Sequence, residues 1–109
     1  MTDKWYFICG PYTGKTPDEI AANIAHAKRA NEMLVGSGAA FVFCPHMNWA
    51  GLETTLSYHL FTDMCIRALI EIPFTHIYML DGWENSGFAP TELTVARCKG
   101  IEVIYESLE

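Results

Sequence analysis

The sequence predicts a single α/β domain with a parallel sheet of four to five strands in the spatial order 2-1-3-4. Three observations lead there. Short β-type runs alternate with amphipathic helical patterns, each helical pattern is bounded by capping or stop residues, and no linker, repeat or low-complexity tract interrupts the alternation. Right-handed crossovers with the first strand central give that order most simply. The switch point then falls between the first and third strands, so the loops that follow them face each other across one crevice.

Trp5 to Cys9 is the first β-type run, and Gly10-Pro11-Tyr12-Thr13-Gly14 after it is a loop. Thr16-Pro17-Asp18-Glu19 announces a helix, with Thr16 as N-cap, Pro17 at the first helical position and Glu19 completing a capping box. Its apolar stripe runs through Ile20, Ile24, Ala27, Ala30 and Leu34, and Gly36-Ser37-Gly38 stops it. Ala40 to Cys44 is the second strand, Pro45 to Leu52 a loop, and Thr55 to Ile70 the second helix. His76 to Leu80 is the third strand. Ala89 to Lys99 is the third helix, with Arg97 and Lys99 in its last turn and Gly100 beyond it, and Ile101 to Tyr105 is the last strand.

Composition narrows the function classes. A chain of 109 residues, half of them hydrophobic, fits one compact core. A net charge of −6 with only seven Lys and Arg argues against binding a nucleic-acid polymer, although a single nucleotide remains compatible. The apolar stretch from Met64 to Leu80 is broken by Arg67, Glu71 and Pro73, and the N-terminus lacks a basic-then-apolar leader, so a cytoplasmic protein with no membrane contact is expected. Cys9, Cys44, Cys65 and Cys98 have no metal-type spacing and read as free thiols; Cys44-Pro45-His46 has no second ligand pair to make a zinc site. No metal and no cofactor is expected.

Gly10 to Thr16 follows a strand and opens a helix, as a phosphate-binding P-loop does. Only three residues separate Gly10 from Gly14, where a P-loop needs four, and Pro11 removes a backbone donor from the cradle. What remains is a looser anion contact from Thr13, Gly14 and the helix start. The more informative stretch is Asp81 to Glu92, which follows the third strand and carries Glu92 into the first turn of a helix aimed at the crevice. A carboxylate there is a candidate nucleophile or base, or simply a favourable charge on the helix dipole.

Three segments in order carry a resemblance: Ile8-Cys9-Gly10-Pro11-Tyr12-Thr13-Gly14, Asp63 in the second helix, and Gly82-Trp83-Glu84-Asn85-Ser86 with Glu92 six residues after the serine. Together they resemble the nucleoside 2-deoxyribosyltransferase-like superfamily, with its small nucleotide N-glycosidase-like and DUF4406-type members, over nearly the whole chain. The resemblance implies a flavodoxin- or Rossmann-like three-layer sandwich. It also implies cleavage of the N-glycosidic bond of a nucleoside or nucleoside 5′-monophosphate, by hydrolysis or by transfer to another base. Glu92 is then the nucleophile and Asp63 hydrogen-bonds the sugar or the nucleophile's surroundings. Tyr12 lines the sugar pocket, His46 meets the base, and Ser86 meets a 5′-phosphate where transferases carry an aspartate. Gly10, Thr13, Gly14, Asp81, Trp83 and Phe88 complete the expected substrate-binding set. Phe88 stands where relatives have glycine, and the Gly10 to Thr16 loop has no arginine for a phosphate.

The residues also admit plainer readings. Asp63 has Arg67 one turn later as an ion-pair partner, Asp81 suits loop capping, His46 beside Trp49 suits packing, and Trp83 is either a lid or a subunit contact. A homodimer or higher homo-oligomer is expected, because a small sheet leaves edges and Phe61, Cys65, Ile66, Leu69 and Ile72 form a wide apolar face. A nucleotide-binding protein without catalysis is the alternative to an enzyme.

Overall fold

The computed structural model describes residues 3–52 and 55–108. In chain order the elements are β1 (Trp5–Cys9), α1 (Pro17–Gly36), β2 (Phe41–Phe43), α2 (Pro45–Trp49), α3 (Tyr58–Glu71), β3 (His76–Met79), α4 (Ala89–Cys98) and β4 (Glu102–Tyr105). Short 3-10 turns cover Trp83–Asn85 and Glu106–Leu108. Among the described residues the sheet has four strands, all parallel, in the order β2-β1-β3-β4, which is the order the sequence predicts. The fold is α/β and consistent with a flavodoxin-like three-layer sandwich.

Side-chain alternation along the two central strands builds the layers. Tyr6 and Ile8 of β1, with Tyr78 and Leu80 at β3, pack on Ala27, Ala30 and Leu34 of α1. Phe7 and Cys9, with Ile77 and Met79, face the other way onto Phe61, Cys65 and Leu69 of α3 and Leu93 and Ala96 of α4. Burial on both faces is what a central parallel strand requires, and all four residues of β3 are buried.

Two local departures from the expected elements matter for the site. Pro45 starts a one-turn helix, with Met47 N–H on Cys44 O and Ala50 N–H on His46 O, where a loop was expected. Proline's fixed φ nucleates that turn and cuts β2 short of Cys44. Helix α3 starts at Tyr58 rather than Thr55, because Thr55 and Leu56 instead turn back onto Leu52 O. The broad apolar face expected to meet another subunit is mostly used internally: Phe61, Cys65 and Leu69 are buried against the sheet, and Ile66 and Ile72 are half-buried. No helix among the described residues is long and apolar enough to cross a membrane.

Gly10 is required by close approach. A Cβ there would sit 2.7 Å from Leu80 Cβ, at the point where β1 and β3 emerge side by side. We therefore expect Gly10→Ala to lower stability by about 1–3 kcal/mol in urea unfolding. Gly36→Ala, whose Cβ would meet nothing within 4 Å, should stabilise α1 by about 0.5–1 kcal/mol. A Gly10→Ala protein as stable as the wild type would contradict the close packing.

Candidate active site

The crevice at the switch point is lined from four directions. The β1 loop supplies Gly10 and Tyr12, α2 supplies His46, α3 supplies Tyr58, Phe61 and Cys65, and the chain entering α4 supplies Ser86, Phe88 and Glu92. Its free volume is only about 10 Å³, far below the usual range for small-molecule sites, so its own side chains nearly fill it and a ligand enters only if they move.

Glu92 is the buried carboxylate of this cleft, with 6 % of its surface exposed. It lies on the inward stripe of α4 with Ala89, Leu93 and Ala96, so the helical period that packs α4 on the sheet also drives the carboxylate into the crevice. A dipole contact alone would leave such a side chain in solvent. Instead the Cys9 thiol donates to Glu92 Oε1 at 3.0 Å, and Cys65 forms a second side-chain hydrogen bond to the same carboxylate. Burial pushes Glu92 up to about 7, and the two thiols hold it from rising further. Burial first, and then the Glu92 charge, push both thiols above their usual range, so they stand as neutral donors rather than nucleophiles. Tyr58 is raised by the same two causes.

His46 is the other buried polar group, 2 % exposed. Its Nε2 lies 3.0 Å from Pro11 O, and since a carbonyl only accepts, the proton is on Nε2 and Nδ1 carries a lone pair. Nδ1 is buried with no hydrogen-bond partner. Burial lowers His46 to about 4, so the ring is neutral at physiological pH. Tyr12 packs between His46 and Phe61, with ring centroids 5.8 and 5.1 Å away.

Of the residues singled out from the sequence, Gly10, Tyr12, His46, Ser86, Phe88 and Glu92 come together in the cleft. Ser86 Oγ already accepts from Phe88 N–H at 3.3 Å and Ala89 N–H at 3.2 Å, so it holds the first turn of α4 in place. Thr13 and Gly14 lie next door, in a hollow bounded also by Ile20, Trp49 and Leu56. The Lys15 N–H beside them is taken by Glu19 Oε1 at 2.8 Å, and Thr16 Oγ1 accepts from Glu19 N–H, so the helix start caps itself. Asp81 is exposed, its N–H held by Glu106, whose carboxylate also meets His26 at 2.8 Å. Trp83 packs on Tyr105, away from the cleft.

Asp63 is not brought to Glu92. Phe61 and Cys65 face inward, and a residue two positions from each lies about 200° around a helix, on the outer face. There Asp63 is exposed beside Ile66, Arg67 and Ile70, and it forms no ion pair with Arg67 among the described residues. Cys65, Tyr58 and Phe61 line the cleft and Cys9 touches it through Glu92, and none of the four is among the site residues expected from the sequence. The signal for Cys9 was its place at the last residue of the central strand, and for Cys65 its inward spacing from Phe61. All four cysteines are free thiols, and among the described residues no cluster of three His, Cys, Asp or Glu is placed to hold a metal ion.

Fold and site together define a parallel α/β protein with a buried carboxylate at its topological switch point. Residues 4–105 match the family described as Domain of unknown function (DUF4406), and the chain belongs to that family. No curated protein matches it significantly.

The raised pKa of Glu92 makes a stability prediction. A carboxyl whose folded pKa lies above its unfolded value contributes stability that is whole below about pH 4.5 and lost as pH rises through about 7. Glu92→Gln removes that loss. It should be more stable than the wild type at pH 8, by up to roughly 3 kcal/mol, and no more stable at pH 4. Urea unfolding at the two pH values reads the difference, and an equal effect at both would contradict the buried titration.

Proposed function

We propose that the protein cleaves the N-glycosidic bond of a nucleoside or nucleoside 5′-monophosphate, with Glu92 as nucleophile. The observation that carries this reading is the buried Glu92 carboxylate, titrating near 7, in the cleft at the switch point. The proposal places this DUF4406 chain with the nucleoside 2-deoxyribosyltransferase-like superfamily. The Gly10 to Gly14 loop, the Ser86 to Glu92 spacing and the 2-1-3-4 sheet support that placement.

The chemistry follows retaining glycoside cleavage. Glu92 attacks the anomeric carbon as the bond to the base nitrogen breaks. The electron pair leaves with the base, which takes a proton from water, and the sugar stays esterified to Glu92. Water, or a second base, then attacks the same carbon and frees the carboxylate. Cys9 and Cys65 donate to the carboxylate, restrain its orientation and favour its ionised form. Tyr12 and Phe88 offer aromatic surface to sugar or base.

The homo-oligomer remains part of the proposal. Leu60 and Ile70 on the outer face of α3, 52 % and 56 % exposed, and Phe41 on the edge strand are apolar surfaces for a second copy. The second reading, a binding protein that does not turn over its ligand, is favoured by the narrowness of the cleft and by Phe88 in its lining.

The test is chromatographic detection of free base from a panel of ribo- and deoxyribonucleosides and their 5′-monophosphates. Release is expected from the wild type, with kcat/KM rising as pH passes about 7 and Glu92 ionises. Glu92→Gln should lower it on the order of 10³-fold or more. Tight binding without release would favour the binding protein.

A further inference from the structure

We infer that the ligand of this cleft is an uncharged nucleoside that donates a hydrogen bond to His46 Nδ1, and that a 5′-phosphate is selected against. The inference rests on the glycosidase reading for the word nucleoside, but its charge and hydrogen-bond polarity come from the cleft itself.

The positive charges of the chain all lie outside the cleft: none of its seven Lys and Arg is in the lining. Lys4 precedes β1, at the opposite end of the sheet from the crevice, and Lys28 and Arg29 are exposed on α1. Arg67 is on the outer face of α3, Arg97 donates to Tyr105 OH, and Lys99 donates to the carbonyls of Leu69 and Ile70. Lys15 follows the β1 loop with its side chain exposed, and its backbone N–H is held by Glu19.

Neutral donors often bind phosphate where no cation does. At the α1 start a carboxylate, Glu19, already occupies that position. At the α4 start, Ser86 Oγ takes the N–H groups of Phe88 and Ala89, and Pro90 has none to give. The charged group that lines the cleft is Glu92, and the next buried polar atom is the lone pair of His46 Nδ1. A phosphate dianion offers acceptors only: it finds the neutral hydroxyls of Ser86 and Tyr58 in the lining but no cation, and it meets the like charge of Glu92 and leaves the Nδ1 lone pair uncompensated. A nucleoside offers hydroxyl or base N–H donors, which is what an orphaned buried acceptor lacks.

The experiment is isothermal titration calorimetry of matched pairs, adenosine with AMP, cytidine with CMP and thymidine with dTMP, on the full wild-type chain, whose Glu92 charge opposes a phosphate, with Glu92→Gln as the variant in which that opposition is lost. Base release by the wild type is read on the same pairs. The expected result is that at least one nucleoside binds about tenfold or more tighter than its own monophosphate. His46→Ala should cost that nucleoside about tenfold in affinity, and His46→Asn, which keeps an acceptor near the Nδ1 position, should recover most of it. A monophosphate that binds as tightly as its nucleoside or tighter overturns the inference while leaving the glycosidase reading intact. Nucleoside binding that persists undiminished in both His46 variants overturns the role of Nδ1. Nucleoside binding without base release sinks the glycosidase reading and spares the ligand class, and no binding by any member of the panel overturns both.

Discussion

A carboxylate held out of water between two thiols is the constraint on which the crevice of this protein depends. Removing a carboxylate from water is costly unless it is protonated or hydrogen-bonded, and Glu92 takes something from each remedy. Its pKa climbs to about 7, and Cys9 and Cys65 supply donors to its oxygens. Those partners arrive from separate elements: the end of β1, the middle of α3 and the first turn of α4. The site therefore exists only where sheet and both helices are docked. Gly10 contributes by letting the chain leave β1 against Leu80, which keeps the β1 and β3 exits side by side above the carboxylate.

The choice of sulfur as donor has chemical consequences. A thiol is a weak donor, so it stabilises the ionised carboxylate less than a hydroxyl or a backbone N–H would. The balance leaves Glu92 near the midpoint of its titration at neutral pH, so that its ionised and protonated forms are both populated. The thiols stay neutral because the same burial and the same negative charge act on them. His46 is also neutral, chiefly because it is buried. A cleft with one ionisable carboxylate and no cation has a polarity that suits an uncharged partner better than an anion.

Much of the fold was legible because it rests on local rules. The alternation in Tyr6-Phe7-Ile8-Cys9 and Ile77-Tyr78-Met79 matches the two layers, and Thr16-Pro17-Asp18-Glu19 starts α1 as its capping pattern predicts. Glu92 was legible because its chemistry and its position after β3 coincide. The misses came where a rule of facing was not carried through. The resemblance implies a site role for Asp63, whereas Phe61 and Cys65, as one apolar face, turn it outward by helical geometry alone. Trp83 and Asp81 are held by contacts with Tyr105 and Glu106, and Ser86, though it lines the cleft, also binds the α4 backbone; these contacts depend on how a loop settles against β4 and α4 rather than on any periodic pattern. The turn at Pro45 was missed because five residues are too few for a hydrophobic period, although the proline itself marks a helix start.

The direct measurement is the titration of Glu92 itself, followed through the ¹³C shift of its side-chain carboxyl in protein labelled at glutamate, with Glu92→Gln to assign the signal. A midpoint near 7 is the result the buried, thiol-held carboxylate requires. A midpoint in the ordinary glutamate range, near 4.3, would mean that the carboxylate is solvated and that the cleft is not built around it.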